Sequence, residues 1–326
     1  KIWSKKFGGT LYTLNAIPFG GFVKIFGEDA HSEEITEENK KNSFVYKPKW
    51  IQAAVLVAGV SMNIIFAWLC VSLGFMIGLP SPTDYSGFGK VTDPKLVITE
   101  VLPESAAHIA KLLPGDQILR VVTTVGDVDE AHANLLPEKV KEVIQKSTGD
   151  IEITYKRGDL PEDTVSVTPK YDPETKTRLA GIAMDTMGLL KLSPPLALLE
   201  GLRTTYLLTE QTVIGLFGFI VGIFTFTSDF SQVSGPVGIA GVVGQASDLG
   251  FVYLLMITTL ISINLAIINL LPFPALDGGR LLFVFIEAIS RKTISPKFVK
   301  ITNTVGFVLL LILMLVVTGH DILKLL

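Results

Sequence analysis

Along the 326-residue chain, three stretches run uncharged and apolar far enough to cross a bilayer, which takes about 20 predominantly apolar residues. They cover residues 50–83, 251–276 and 301–319. A fourth, 211–228, is marginal: its strongly apolar part spans only 213–226, and Gly215, Gly218 and Gly222 punctuate it. Lys40, Lys41, Lys47 and Lys49 precede the first stretch, while Arg291, Lys292, Lys297 and Lys300 lie between the last two. Basic loops stay in the cytoplasm, so an even number of crossings separates these two clusters. The spans at 50–80 and 249–290 already supply two. Residues 191–248, with Glu200, Arg203 and Glu210 leading into the marginal stretch, are therefore expected to form an interfacial or re-entrant helical region. A terminal span follows at 298–320.

Between the first two spans the pattern changes to that of a water-soluble domain, 94–190, on the extracytoplasmic side. Residues 96–101 read as a strand, and Ser105 can cap a short helix over 106–112. Leu113-Pro114-Gly115-Asp116 reads as a turn entering the strand Gln117-Ile118-Leu119. A helix is expected over 137–146 with Val140, Val143 and Ile144 on one face, and 151–155 and 164–168 alternate as half-buried strands. In the cytoplasmic-side segment 1–49, residues 10–14 and 22–26 read as two strands of a hairpin within 9–26, around Ile17-Pro18-Phe19-Gly20-Gly21.

Composition agrees with a membrane protein. Hydrophobic residues make up 48% and charged residues 18%, and the mean hydropathy is +0.49, more apolar surface than one water-facing globule can cover. With 28 Lys+Arg against 31 Asp+Glu, no basic excess exists for a phosphate backbone, so nucleic acid is excluded as a partner. The lone Cys70 rules out an intramolecular disulfide and a cysteine-built zinc site.

Asp277 closes an apolar run, where a carboxylate is costly unless it pairs, binds a metal or lines a water-filled cavity. Pro272 and Pro274 precede it and Gly278 and Gly279 follow it, so the backbone breaks where the acid sits. The alternative for Asp277 is a loop acid paired with Arg280. Asn264 and Asn269 in the same run, and Asn63 in the first span, can bond a peptide backbone that has no water available. They can equally serve as interhelical glue.

The run from Asn269 to Gly279 resembles the Asn-x-x-Pro-x-Pro-x-Leu-Asp-Gly motif of the site-2 protease family, the intramembrane zinc metalloproteases. Other pieces follow in that family's order: Ile17-Pro18-Phe19-Gly20-Gly21-Phe22-Val23-Lys24, Gly59-Val60-Ser61-Met62-Asn63, and Ser234-Gly235-Pro236-Val237-Gly238. The 94–190 insert resembles a PDZ domain of the bacterial protease-associated kind. The resemblance implies a polytopic α-helical membrane protein of the cell inner membrane, with a membrane-associated β-hairpin and an inserted α+β PDZ domain. It implies Zn²⁺ as cofactor, Asp277 as metal ligand, and Asn264, Asn269 and Asn63 as substrate-binding residues. The implied partners are a single-span membrane protein such as an anti-sigma factor, peptide termini at the PDZ domain, and membrane lipid, in regulated intramembrane proteolysis.

The family's His-Glu-x-x-His helix, which supplies two zinc ligands and the general base, is absent. His31, His108, His132 and His320 lack that spacing and read as solvated surface. The simplest reading is an amino-terminal truncation, with the helix upstream of Lys1 and these residues inactive alone. Two other classes stay open: a non-catalytic PDZ-bearing scaffold, and a transporter, which would carry internal repeats not found here.

Overall fold

The computed structural model describes residues 2–8, 10–14, 25–27, 40–129, 135–173, 176–225, 227 and 233–325. In chain order come strands β1 (Trp3–Phe7) and β2 (Thr10–Leu14), helix α1 (Lys49–Ile77), β3 (Leu79–Pro82), β4 (Thr92–Val101), α2 (Ala106–Ile109), β5 (Gln117–Val122) and β6 (Asp127–Asp129). Then follow α3 (Pro137–Lys146), β7 (Ile151–Lys156), β8 (Asp163–Val167), β9 (Lys170–Asp172), β10 (Thr177–Leu179) and β11 (Ile182–Leu190). Helices α4 (Pro194–Thr225), α5 (Pro236–Leu249), α6 (Phe251–Leu270), α7 (Asp277–Ser290) and α8 (Pro296–Leu325) come last.

No charge follows Lys49 in α1 and no proline interrupts it, so the helix runs 29 residues. It stops where Gly78 takes φ 130° and returns its N–H to Gly74 O. Helix α6 packs antiparallel to it: Thr259 Oγ1 lies 3.5 Å from Ala67 O, and Ser262 Oγ donates to Asn63 O at 2.9 Å. Hydroxyls placed this way find partners where no water is present. Nearer the start of α1, Lys49 Nζ pairs with Glu287 Oε2 of α7 at 2.5 Å. Away from these contacts α1 exposes Val55, Met62, Ile65, Phe66 and Leu69, and α8 exposes Phe307, Leu309, Leu313 and Leu315. Such surface suits lipid, and α1, α4, α6 and α8 are each long and apolar enough to cross a membrane.

Strands β3 and β11 pair antiparallel, Leu79 opposite Leu190, so the inserted α+β domain leaves the bundle and returns to it at one place. Its sheet runs β3-β11-β4-β5-β7-β8, with β6 beside β5. The alternation read in the sequence places Ile151, Ile153 and Val167 in one core with Leu96, Ile98, Ile118 and Val121 of β4 and β5 and with Val140 and Ile144 of α3. Each such side chain contributes about 1.5–3 kcal/mol by its removal from water. Ser105 caps α2 by accepting from His108 N at 3.1 Å. Asp116, fully buried, accepts from Leu113 N at 2.8 Å and from Arg157 Nε and Nη2 at 2.7 Å each. This forked pair ties the Pro114-Gly115-Asp116 turn to the end of β7. At the outer end of α1, the buried Glu200 of α4 accepts from the Tyr85 hydroxyl and from Phe88 N at 3.2 Å, fastening residues 83–91 to α4. Desolvation, reinforced by that carboxylate, pushes the Tyr85 phenol above its ordinary range.

Three elements differ from the sequence expectation. Strand 10–14 pairs with a strand the sequence pattern did not show, Trp3–Phe7, through a tight turn at Gly8, Phe7 opposite Thr10; most of the expected partner 22–26 lies outside the described residues. Gly8 supplies a positive φ, 54°, of the kind a tight hairpin turn needs, and Lys5 and Lys6 hide the first strand's alternation. Ile25 and Phe26 lie outside any strand, while 15–24 fall outside the described residues. The insert starts at β3, inside what reads as the tail of the first apolar stretch. Residues 211–225 are no separate element: they continue a 32-residue helix from Pro194, because no proline or charge cluster breaks it after Glu210.

Candidate active site

Helix α6 ends at Leu270 because Pro272 and Pro274 cannot donate the bonds that would extend it. The chain folds back through Leu271–Leu276, held by Phe273 N to Leu271 O at 2.7 Å and Leu276 N to Phe273 O at 3.2 Å. Ala275 adopts φ 76°, a left-handed conformation costing a residue with a Cβ roughly 1–2 kcal/mol. Helix α7 opens directly on Asp277. The doubled glycine now has a reason: a Cβ on Gly278 would overlap Leu270 O and Leu271 O, and one on Gly279 would overlap Phe273 O.

Asp277 thus stands in the first turn of a 14-residue helix, where the N-terminal end of the dipole favours a carboxylate. It faces α1 at Gly59, where a Cβ would sit 4.0 Å from Asp277 Oδ2. Leu56, Val57, Val60, Leu270 and Leu281 line the rest of this crevice. Neither Arg280 nor any other described residue forms an ion pair or hydrogen bond with Asp277, so the pairing alternative fails among the described residues.

The three asparagines separate. Asn63 lies one turn along α1 from Gly59 and is half-buried. Asn269 is half-buried and shares the α1-facing side of α6 with Ser262, seven residues earlier, whereas Asn264 is exposed. At 3.6 residues per turn, five positions put Asn264 and Asn269 about 140° apart, so they do not present one face. None of the three side chains bonds another described residue. His108 and His320 are exposed and remote from one another in the fold; His31 and His132 lie outside the described residues. Among the described residues no three His, Cys, Asp or Glu side chains converge as a metal site. A catalytic zinc takes three protein ligands and a water. Asp277 offers one carboxylate here, and the described residues do not bring three such ligands together.

Helix α8, which the sequence reading treats only as a terminal span, reaches this site. Asn303 Oδ1 accepts from Ala275 N at 3.3 Å, and Gly306 is buried where a Cβ would crowd Pro274 O. The available signal was the polar Asn303 in an apolar helix. The Ser234–Gly238 motif is likewise met by α8, whose buried Asp321 accepts from Gly238 N at 2.8 Å.

Fold and site together define a polytopic membrane protein with a carboxylate that no other described residue pairs, at a break between two of its helices. Residues 1–313 match the profile of peptidase family M50. A protein of Clostridium perfringens whose name places it among the zinc metalloproteases is 31% identical over 324 residues, covering 99% of this chain and 86% of that protein. A similarly named Rhizobium meliloti protein is 29% identical, over 96% of the chain and 83% of its own length. The zinc metalloprotease RasP of Geobacillus kaustophilus is 37% identical over 71% of the chain and 51% of its own length. The chain belongs to peptidase family M50, the site-2 proteases, and is a multi-pass protein of the inner membrane.

Proposed function

We propose that this chain is the greater part of an intramembrane zinc metalloendopeptidase that cleaves single-span membrane proteins, such as anti-sigma factors, in regulated intramembrane proteolysis. Membership of peptidase family M50, among relatives named zinc metalloproteases, makes the enzyme class a metallopeptidase and Zn²⁺ its cofactor. The observation that carries the reading is Asp277: without a partner among the described residues, at the start of α7, against the side-chain-free surface of Gly59. In this reading Asp277 is one ligand, and a His-Glu-x-x-His helix preceding Lys1 brings the other two with the general base. Bound zinc supplies Lewis-acid activation of water. The residues of this chain do the holding: Asp277 orients one coordination position, while Asn269 and Asn63, on facing surfaces of α6 and α1, offer amides to an unwound substrate strand. Asn264 belongs to a different surface of α6 and takes a lesser part.

The inserted domain supports a PDZ role. Residues 182–185 of β11 pair with β4 on one edge, while on the other edge the chain leaving β3 reaches back only to Thr186, whose carbonyl accepts from Thr83 N at 3.1 Å. Helix α3 packs against β10 and β11. A strand edge beside a helix takes an extended peptide terminus as an added strand. The hairpin β1–β2 supports lipid contact, since Trp3, Phe7, Tyr12 and Leu14 share one exposed face.

The test is zinc content and cleavage of a single-span reporter, measured on the protein carrying its upstream residues. We expect one zinc per chain, with zinc content and cleavage both lost in Asp277→Asn. Equal zinc in both proteins would remove Asp277 from the ligand set. Full zinc with no cleavage of any single-span reporter would favour the scaffold.

A further inference from the structure

We infer that Asn303, on the terminal helix α8, is a positioning residue for Asp277, acting through the strained turn at Ala275; this rests on Asp277 being a zinc ligand. Four observations meet here. Ala275 holds φ 76° two residues before Asp277, the only non-glycine residue in the α6–α7 connection with positive φ. Its N–H, turned away from the helix ladder by that conformation, is met by Asn303 Oδ1 at 3.3 Å. One turn further along α8, Gly306 presents no side chain, and a Cβ there would meet the carbonyl oxygen, the carbonyl carbon and the Cβ of Pro274. On the other side Gly278 and Gly279 close the connection against Leu270, Leu271 and Phe273. The six-residue connection is thus clamped between the first turn of α7 and one face of α8.

The physical consequence follows from what each clamp fixes. The glycines let the connection lie flat on α7, which any small rotation of the Ala275 peptide would lift. A left-handed alanine relaxes toward negative φ unless its surroundings over-determine it. Inside a bundle without water, an amide N–H released from Asn303 has no replacement partner. The relaxation would turn the peptides of Ala275 and Leu276, and with them the Cα–Cβ bond of Asp277. Asn303 therefore holds the carboxylate's direction without touching substrate or metal, as hydrogen-bonded outer residues do at metal sites generally.

A double-mutant cycle tests this, on the protein with its upstream residues, reading zinc affinity by chelator competition beside the kcat and KM of reporter cleavage. Asn303→Ala should weaken zinc about 10- to 100-fold and lower kcat with KM unchanged. Glycine adopts positive φ without a Cβ penalty, so Ala275→Gly should need the clamp less. In the Ala275→Gly background the same Asn303→Ala change should cost less than about 3-fold, a rescue that a role in helix packing alone would not give. Should Asn303→Ala fail to yield folded protein alone yet fold and bind zinc with Ala275→Gly, the inference stands. Wild-type zinc affinity in Asn303→Ala, or an equal loss in both backgrounds, would overturn it. If the parent protein itself binds no zinc, or Asp277→Asn binds it as well as the parent, the fault lies with the ligand assignment, which the same titration reads separately.

Discussion

Gly278 separates the two demands placed on the Asp277 motif, since it touches no metal or substrate group but lies where a Cβ would overlap the carbonyls of Leu270 and Leu271. Backbone cannot yield as a flexible side chain does. Gly278→Ala should therefore lift the connection off α7, destabilise the bundle by about 1–3 kcal/mol, and abolish high-affinity zinc binding while leaving Asp277 in place. Thermal unfolding in detergent with zinc titration checks both; a variant with native stability and native zinc affinity would show the connection to be plastic. The motif was legible in the sequence because each of its residues breaks a rule: a carboxylate in an apolar run, prolines at a helix end, adjacent glycines. Asn303 was not, because one polar residue in a helix does not name its partner across 28 positions. The asparagines were half legible. Their amides stood out chemically, but only helical phase separates exposed Asn264 from half-buried Asn269.

Among the elements, the same distinction explains what the sequence pattern reached. Strands β7 and β8 alternate cleanly because one face meets the core, β5 is interrupted by a bulge between Ile118 and Arg120, and the Asp116 turn announces itself through Pro-Gly-Asp. Strand β1 escapes notice because both its faces are exposed, which leaves no burial to impose alternation, and β3 because Leu79-Pro80-Ser81-Pro82 prolongs an apolar run. Neither pattern shows how the inserted domain meets the bundle. Leu249, last residue of α5, seats against Gly115 and Gly158, where any Cβ would collide with it or with Asp248 O. Both glycines sit in turns that the buried Asp116–Arg157 pair holds together. Beside this seat lies a cavity of about 240 Å³ walled by Lys95, Gln117, Lys156, Met187 and Tyr253. Leu249→Ala should let the domain lift away from α6, and limited trypsin digestion should then cut after Lys156 or Arg157 about ten-fold faster, the effect of roughly 1.4 kcal/mol on a local opening. Unchanged cleavage would mean the joint is held elsewhere.

Whole-molecule topology turns on α4, the one long helix whose course length alone leaves open. Its start is fixed on the domain side of the bundle, where Leu192 N donates to Phe75 O at 2.8 Å and Trp68 Nε1 to Leu198 O at 2.8 Å. The end of α5 is on that side too, since Leu249 touches Gly115 of the inserted domain. The start of α5 meets Asp321, near the end of a helix that passes Ala275 at Asn303 and runs on from there. Both ends of the 194–249 segment thus belong to one side, which requires zero crossings or two. Two would oblige α5 to be the second, and its 14 residues extend only about 21 Å against a hydrocarbon core of about 30 Å. We therefore expect zero crossings, with α4 along the outer surface and its apolar residues Ile214, Phe217, Val221 and Phe224 sunk among acyl chains. This course also keeps the basic residues around Lys49 and Lys292 together in the cytoplasm, as the Lys49–Glu287 pair requires of the elements that carry them. In a Cys70→Ser background, a membrane-impermeant maleimide added to intact spheroplasts should label Thr227→Cys at once and Lys292→Cys only after permeabilisation. Thr227→Cys protected until permeabilisation would make α4 a crossing helix.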